Sequence, residues 1–452
     1  MVKERLLLAA REETVMKRMA CLILSLVLLL SLPASAEEEP TARAVFELLQ
    51  RGDVSSVYAL FDQNMQKAMS EDDLRKTFSD LEAAIGQATD WGEEQTVLYP
   101  PYRITILPVS YERADINLQI TWQDRQIAGL FYTIQQKAEQ IQEELPEGLI
   151  EENIQVGELN LEGLLALPSE ASEPLPAVVL VHGSGPSDRD ETLRGTKLFL
   201  DLAHSLALQG IASVRYDKRT YAGVEISEEE EKTFTVKEET IDDAVAAARL
   251  LRADPRIDPE RIYLIGHSMG AMLAPRIAEE NPGLFAGIVM LSGTPKTLAD
   301  IVLSQNQAAV DALPPLQKIA VSVQMTVLRQ SWQNVLNSTE EEVKGKTIFE
   351  APAYYFWEMA QHDTASILKD LDLPALIING GSDFQIINAD GIDAWRALEL
   401  PENVQLSYYP ELNHLLMNPQ APETFRGTMQ EYDIPCHVAQ EIVDEITAFI
   451  LK

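Results

Sequence analysis

Two cysteines in 452 residues leave little scope for covalent stapling. Cys21 lies in an N-terminal apolar run expected to be removed, so Cys436 remains alone and no disulfide is expected within the rest of the chain. Histidine is scarce too, with six residues, and no Cys/His cluster has the spacing of a zinc site. Positive charge is short: 36 Lys and Arg face 71 Asp and Glu, a formal net charge of -35. A surface that acidic repels nucleic acid and anionic lipid, so neither is expected as a partner. Also missing is an apolar run of about 20 residues, the length needed to cross a bilayer. Such a chain has to be held by its core, and a hydrophobic content of 46% suffices for that.

The N-terminus carries an address. Met16-Lys17-Arg18 is a short basic stretch, the apolar run spans Cys21 to Leu32, and Pro33-Ala34-Ser35-Ala36 places Ala at both positions of an A-x-A cleavage site. Residues 1–36 are therefore expected to be a signal peptide cleaved near Ala36, with Met16 as the start. Cys21 precedes most of the run, which argues against a lipoprotein anchor. The expected location is secreted or extracytoplasmic, with no stable membrane insertion after cleavage.

The remainder has two textures. Residues 37–140 begin with helical spacing (Phe46, Leu49, Val57, Leu60, then Leu74, Phe78, Leu81, Ile85). They then switch to period two, with Ala114, Ile116, Leu118, Ile120 and Trp122 alternating with polar neighbours. This predicts a small α+β domain, helices first and an antiparallel sheet after. Its ligand is not evident from its residues, and no titratable cluster in it suggests chemistry. Residues 141–154, rich in Gln and Glu, read as a linker. From 155 to 452 apolar strands and amphipathic helices alternate, which predicts a mostly parallel sheet with helices on both faces. Residues about 295–370 break that rhythm with helical sequence (Ile301, Val302, Leu316, Ile319, Val323, Val327).

Chemistry concentrates in this second part. Gly266-His267-Ser268-Met269-Gly270 is a G-x-S-x-G motif between a strand and a helix, where a serine sits on a tight turn with its hydroxyl exposed. His182-Gly183-Ser184-Gly185 follows an early strand, Ala177 to Val181. An acyl-transfer site needs backbone N–H donors for the developing oxyanion. Those donors are expected to be the amide of Met269 and that of Ser184, or else of Gly183. His182 is read as fixing the loop. A nucleophilic serine also needs a base and an acid, following in the order Ser, Asp or Glu, His, each on a loop after a strand. Asp383, in Gly380-Gly381-Ser382-Asp383, and His414, in Tyr409-Pro410-Glu411-Leu412-Asn413-His414, fit that order, with Asp390 and Asp393 as rival acids. The chemistry requires no metal or organic cofactor, and none is expected.

At these residues the chain resembles the α/β-hydrolase superfamily, in particular secreted bacterial esterases similar to dienelactone hydrolases and serine aminopeptidases. The stretch from His182 to Asp190 is similar to their oxyanion loop, and Tyr216-Asp217-Lys218-Arg219, the G-x-S-x-G block and Asn413-His414 match their later blocks. Residues 41–137 resemble the N-terminal domain of unknown function that precedes the hydrolase in such relatives, a cone-shaped fold of the nuclear-transport-factor or cystatin type. The resemblance implies an α/β-hydrolase fold with a helical lid after the sixth strand, where residues 295–370 fall. Dienelactone hydrolases proper use a cysteine nucleophile, which this chain replaces by Ser268. Within the lid, Tyr354-Tyr355-Phe356-Trp357 either lines an acyl pocket or packs the lid onto the sheet. Lys218 and Arg219 contact either a substrate carboxylate or structural acids. The function expected is a serine hydrolase of carboxylic esters. The alternatives are an amidase or peptidase with the same triad, and a non-catalytic envelope binding protein on a hydrolase scaffold.

Overall fold

The computed structural model describes residues 40–452 apart from 100–101, 124, 137–144, 225, 312–314, 349–350 and 423–424. The expected signal peptide and its cleavage site lie outside the described residues, as does the first part of the expected linker. Among the described residues no helix is long and apolar enough to cross a membrane.

The chain forms two compact units, one of residues 40–69, Glu94–Ile106 and Gln119–Leu130, the other of Ser70–Glu93, Leu107–Leu118 and Phe131–Lys452. The N-terminal helices are α1 (Ala42–Gln50), α2 (Val54–Ala59), α3 (Gln63–Ala68) and α4 (Glu71–Ile85). Helix α1 starts where Thr41 Oγ1 accepts the Ala44 N–H at 3.1 Å, and it buries Val45, Phe46 and Leu49 on one stripe. Helix α4 is opened by a reciprocal Ser70–Asp73 capping box and buries Leu74, Phe78, Leu81 and Ile85. Strands β1 (Ala88–Trp91), β2 (Gln95–Tyr99), β3 (Tyr102–Tyr111), β4 (Ala114–Gln123) and β5 (Gln126–Gln136) follow. Their sheet order is β1-β3-β4-β5, with β2 also on β3, and both β1 and β2 run antiparallel to β3. In β4 burial alternates residue by residue, as the period-two pattern requires.

The second sheet has eight strands: β6 (Leu149–Val156), β7 (Leu161–Pro168), β8 (Leu175–Val181), β11 (Ala212–Tyr216), β12 (Ile257–His267), β13 (Gly287–Leu291), β16 (Ala375–Gly380) and β17 (Val404–Tyr409). A short hairpin, β9 (Thr192–Leu193) and β10 (Thr196–Lys197), sits in the loop after β8, and another, β14 (Thr347–Ile348) and β15 (Ala351–Pro352), in the lid region. The order is β17-β16-β13-β12-β8-β11-β7-β6. Six strands, β11 to β17 across the sheet, pair in parallel, while β7 is antiparallel to β11 and β6 to β7.

Helices cover both faces, α5 (Leu198–Leu208) and α15 (Gln440–Ile450) one, α7 (Asp242–Ala253) and α8 (Met269–Glu280) the other. The central strand β8 serves both: Ala177, Val179 and Val181 join the cluster holding Val245, Leu251 and Ile277, whereas Val178 and Leu180 join the cluster holding Leu202, Leu206 and Ile446. A strand buried on two sides has no polar alternation, which is why its sequence reads as a continuous apolar run. The remaining helices are α6 (Glu228–Glu231), between β11 and α7, α9 (Leu298–Asp311), α10 (Pro315–Leu336), α11 (Glu340–Val343), α12 (Ala353–Ala360) and α13 (Thr364–Asp370) in the insertion, and α14 (Ile392–Arg396) after β16. Helices α9, α10 and α12 share a small core of their own containing Leu303, Trp332, Val335 and Phe356.

One expected boundary changes. Residues 149–154, read as linker, are the first part of β6, which pairs with β7 over its whole length from Leu149–Pro168 to Val156–Leu161. Only its end residues are fully buried, so the strand lacks the apolar signature of the others.

Strand β11 carries Arg215, 1% exposed, inside this apolar frame. Its guanidinium donates to Glu151 at 2.6 Å and to Asp190 at 2.9 Å, and His204 lies 2.9 Å from the same Glu151 oxygen. Burial alone would raise the Glu151 carboxyl, but the hydrogen bonds with His204 and Arg215 pull it down to about 2. A carboxyl depressed in the folded state contributes stability above its unfolded value and loses it as pH falls through the folded one. The stability gap between wild type and Glu151→Gln is expected to be constant above about pH 5 and to close between there and about pH 2. Urea titrations at several pH values measure it, and a gap independent of pH would refute the assignment.

Candidate active site

The turn between β12 and α8 fixes the geometry. Ser268 has φ 52° and ψ -114°, a left-handed conformation that L-residues adopt only under constraint. The constraint is a backbone contact. A Cβ on Gly270 would lie 2.1 Å from the Val181 carbonyl oxygen, and one on Gly266 2.2 Å from the Gly270 carbonyl oxygen. Glycine at both positions lets the first turn of α8 rest on the end of β8. Ser268 is left half-buried at the N-terminus of α8, making no capping bond of its own. The Met269 amide is the first of that helix, among the N–H groups that have no intrahelical acceptor.

The loop after β8 lies against this turn. A Cβ on Gly183 would stand 3.2 Å from the Ser268 Cβ, so the chain passes directly over the serine. His182 Nε2 donates to the Asp188 carbonyl at 2.9 Å, the loop-fixing role expected of it, and burial pushes its imidazole below its ordinary value. Gly183, expected as the alternative oxyanion donor, does not serve: its N–H donates to Glu191 Oε1 at 2.8 Å and is not available to a substrate. Ser184, the other expected donor, is exposed.

Asp383 follows β16 and His414 follows β17, and the two meet: His414 Nδ1 donates to Asp383 Oδ2 at 2.7 Å, with both side chains buried. Asp383 Oδ1 accepts the N–H groups of Gln385 at 2.7 Å and Ile386 at 2.8 Å, which locks the carboxylate's orientation. The His414 loop is pinned through Asn413, whose Oδ1 accepts the N–H of Leu415 and Met417 at 3.1 Å each, and whose Nδ2 donates to Glu431 at 3.0 Å. His414 is brought to the serine turn by its backbone, since His267 Nε2 donates to the His414 carbonyl at 3.0 Å and the two rings are 4.8 Å apart. The rival acids are engaged elsewhere. Asp390 pairs with Lys296 and accepts from Ser304, and Asp393 lies 3.8 Å from Arg396 on α14.

Contacts separate the two readings that the sequence left open for Lys218, Arg219 and the aromatic run. Lys218 is buried and donates to the carbonyls of Gly183 at 3.0 Å and Gly185 at 3.1 Å, with Glu239 3.2 Å away. Burial pushes its ammonium below the ordinary lysine value, against the pull of Glu239. Arg219 is paired with Asp243 at 2.7 Å, so both cations are taken by protein groups. The aromatic run mostly packs the lid: Phe356 lies in the core shared by α9, α10 and α12, Tyr354 stacks on Trp357, and Trp357 Nε1 donates to the Ser338 carbonyl at 3.0 Å. Tyr355 differs, since its hydroxyl donates to Glu239 at 2.6 Å and lies 3.5 Å from Met269 Sδ. Among the described residues no cluster of His, Cys, Asp and Glu has the arrangement of a metal site. Chemically, the arrangement offers a hydroxyl on a strained turn, an imidazole oriented by a carboxylate, and helix and loop amides beside them.

Comparison with known proteins places these features in a family. Residues 172–420 match the family described as serine aminopeptidase, S33, and residues 42–130 match a family described as a protein of unknown function, DUF3887. Esterase EstD of Thermotoga maritima is 31% identical over 396 residues, which cover 86% of this chain and 90% of EstD. A protein described as putative esterase NocK, from Nocardia uniformis subsp. tsuyamanensis, is 32% identical over 132 residues, 29% of this chain and 35% of NocK. Among solved structures, an esterase from Pyrococcus furiosus aligns with a TM-score of 0.39 at 16% identity, over 67% of this chain and 90% of that one.

The turn is testable without a substrate. Gly270→Ala must displace α8 from the end of β8, because the obstructing atoms are backbone. A loss of about 1–3 kcal/mol is expected, read as a lower urea midpoint. An unchanged midpoint would show that the close approach is not required.

Proposed function

Because the chain belongs to the serine aminopeptidase S33 family of α/β-hydrolases and is esterase-like, we propose that it is a secreted serine hydrolase that cleaves carboxylic esters through an acyl-enzyme on Ser268. The observation carrying this reading is the 2.7 Å bond between His414 and Asp383, on loops that follow consecutive strands, with the His414 carbonyl 3.0 Å from His267, the neighbour of Ser268. A carboxylate only accepts, so Nδ1 of the neutral imidazole holds the proton and the Nε2 lone pair is the basic site. His414 then takes the Ser268 proton as Oγ attacks the ester carbonyl, and returns it to the leaving alcohol. Asp383 stays ionised and stabilises the imidazolium formed in between. The amides of Met269 and Ser184 receive the oxyanion, and a water deprotonated by His414 releases the acid. The substrate class is a small-molecule ester. Esterase relatives favour esters over amides, although the family description names an aminopeptidase, so the amide reading stays as the second arm of the test. Export with cleavage near Ala36 belongs to the same proposal, and N-terminal sequencing of the exported protein tests it.

A fluorophosphonate probe is expected to label the wild type and not Ser268→Ala. p-Nitrophenyl esters are expected to turn over faster than aminoacyl anilides, and the reverse order would make the protein an amidase. Asp383→Asn is expected to lower kcat by about 10⁴, because an amide orients the wrong tautomer of His414. A labelled Ser268→Ala variant, or Asp383→Asn at the wild-type rate, would reject the triad.

A further inference from the structure

His267 and Glu191 are buried at the centre of the site, yet neither belongs to the triad. Both ring nitrogens of His267 face oxygens: Nδ1 is 3.0 Å from Glu191 Oε1, and Nε2 is 3.0 Å from the His414 carbonyl. A carbonyl only accepts, so Nε2 carries a proton. Glu191 Oε1 already accepts the Gly183 N–H at 2.8 Å, which suits an ionised carboxylate and leaves Nδ1 as a second donor. The proton count is therefore that of an imidazolium beside a carboxylate, in a pocket where His267 is 4% and Glu191 7% exposed. Glu191 also sits at φ 49°, a strained backbone for a non-glycine residue, and its Oε2 is buried without a hydrogen-bond partner. Such costs are borne where the surrounding structure holds a group for a purpose beyond packing.

We propose that Glu191 and His267 form a buried ion pair that positions both halves of the catalytic machinery, the loop over Ser268 through the Gly183 amide and the base loop through the His414 carbonyl. The inference rests on the triad reading above. One carboxylate oxygen and one imidazolium ring span three segments that are separate in sequence: the loop after β8, the end of β12 and the loop after β17. The pair thereby sets where the His414 backbone stands relative to Ser268, the residue adjoining His267. Glu191 and His267 are positioning residues, since neither is required to touch the substrate.

The charges around the pair agree. Burial alone would lower His267 and raise Glu191, but their mutual attraction wins, holding His267 above its ordinary value and Glu191 below its own. The other charged and titratable groups facing the pair are Asp383 and His414 from the loops after β16 and β17, and His182 and Lys218 on the β8 and β11 side. Asp383 favours the imidazolium, and Lys218 favours the carboxylate.

Glu191→Gln tests this with little change of shape. The amide oxygen it introduces still accepts the Gly183 N–H, but a neutral His267 has one proton for two oxygens, so one contact is lost. The expected result on a p-nitrophenyl ester is a fall in kcat of about 10- to 100-fold with KM within about twofold, in a protein that still melts cooperatively. Long-range ¹H–¹⁵N spectra of histidine-labelled protein supply the second measurement. In wild type His267 is expected to carry protons on both nitrogens at about pH 7, above the value at which an unpaired histidine loses one. A singly protonated His267 at pH 7 in wild type overturns the proposal, as does Glu191→Gln with kcat within twofold of wild type. Either result, found with an active wild type and an inactive Ser268→Ala, leaves the triad standing. Activity surviving in Ser268→Ala would instead remove the triad itself, and the proposal with it. Should Glu191→Gln fail to fold, the wild-type spectrum alone decides.

Discussion

One backbone contact underlies the site: the start of α8 resting on the end of β8, with no side chain between them. Gly270 lies so close to the Val181 carbonyl that any Cβ would overlap it. The contact has two consequences. It forces the residue between β12 and α8 into the left-handed region, which is where Ser268 stands. It also forces the chain leaving β8 to pass over that residue, which puts Gly183 against the Ser268 Cβ. The nucleophile and the loop proposed to bind its oxyanion are thus set by the same steric condition rather than by separate devices.

Loops that leave a parallel sheet lose its ladder of hydrogen bonds, and their backbone N–H groups need other acceptors. This protein supplies carboxylates. Asp383 takes the amides of Gln385 and Ile386, Glu191 takes that of Gly183, and Glu431 takes that of Gly427 at 2.8 Å while accepting from Asn413. An ionised carboxylate accepts several donors at once, so one acidic side chain can organise a whole turn. At Glu431 and Glu191 burial works against the charge; it prevails at Glu431, whose carboxyl is raised, whereas the His267 cation keeps Glu191 lowered. The excess of acid over base in the sequence is therefore not only a solvated surface, because several of those acids are structural groups in the interior.

The sheet and the triad candidates were legible in the sequence for a physical reason. Strands such as β8 and β13 are buried on both faces and write themselves as unbroken apolar runs, and the segments after β12, β16 and β17 hold Ser268, Asp383 and His414 in that order. The rest was hidden for equally physical reasons. Strand β6 is the edge of the sheet, and its middle carries Glu151, Glu152, Asn153 and Gln155, so it reads as a charged linker. The glycine-rich loop suggested Gly183 as a donor, but an amide's freedom depends on what stands opposite it, and Glu191 eight residues later is one acid among many. The aromatic run in the insertion has the same composition whether it faces a ligand or a lid core. Only the contacts of Phe356 and Trp357 separate the two.

Tyr355 shows how far the lid is from being an independent cover. Its hydroxyl donates to Glu239, which stands in a single π-helical turn, Lys237–Ile241, just before α7. Such a turn inserts an extra residue into the helical repeat and swings the side chains around it. Glu239 is thereby shared between Tyr355 on α12 and Lys218, and Lys218 in turn holds the carbonyls of Gly183 and Gly185. When a carbonyl is drawn toward a buried ammonium, the peptide N–H on its far side points the opposite way, and for Gly183 that N–H belongs to Ser184. Withdrawing Tyr355 would leave a buried carboxylate oxygen without that donor, an expensive state. The lid helix and the amide proposed to receive the oxyanion are thus linked through two ionised side chains, and the cost of breaking that link holds α12 where it is.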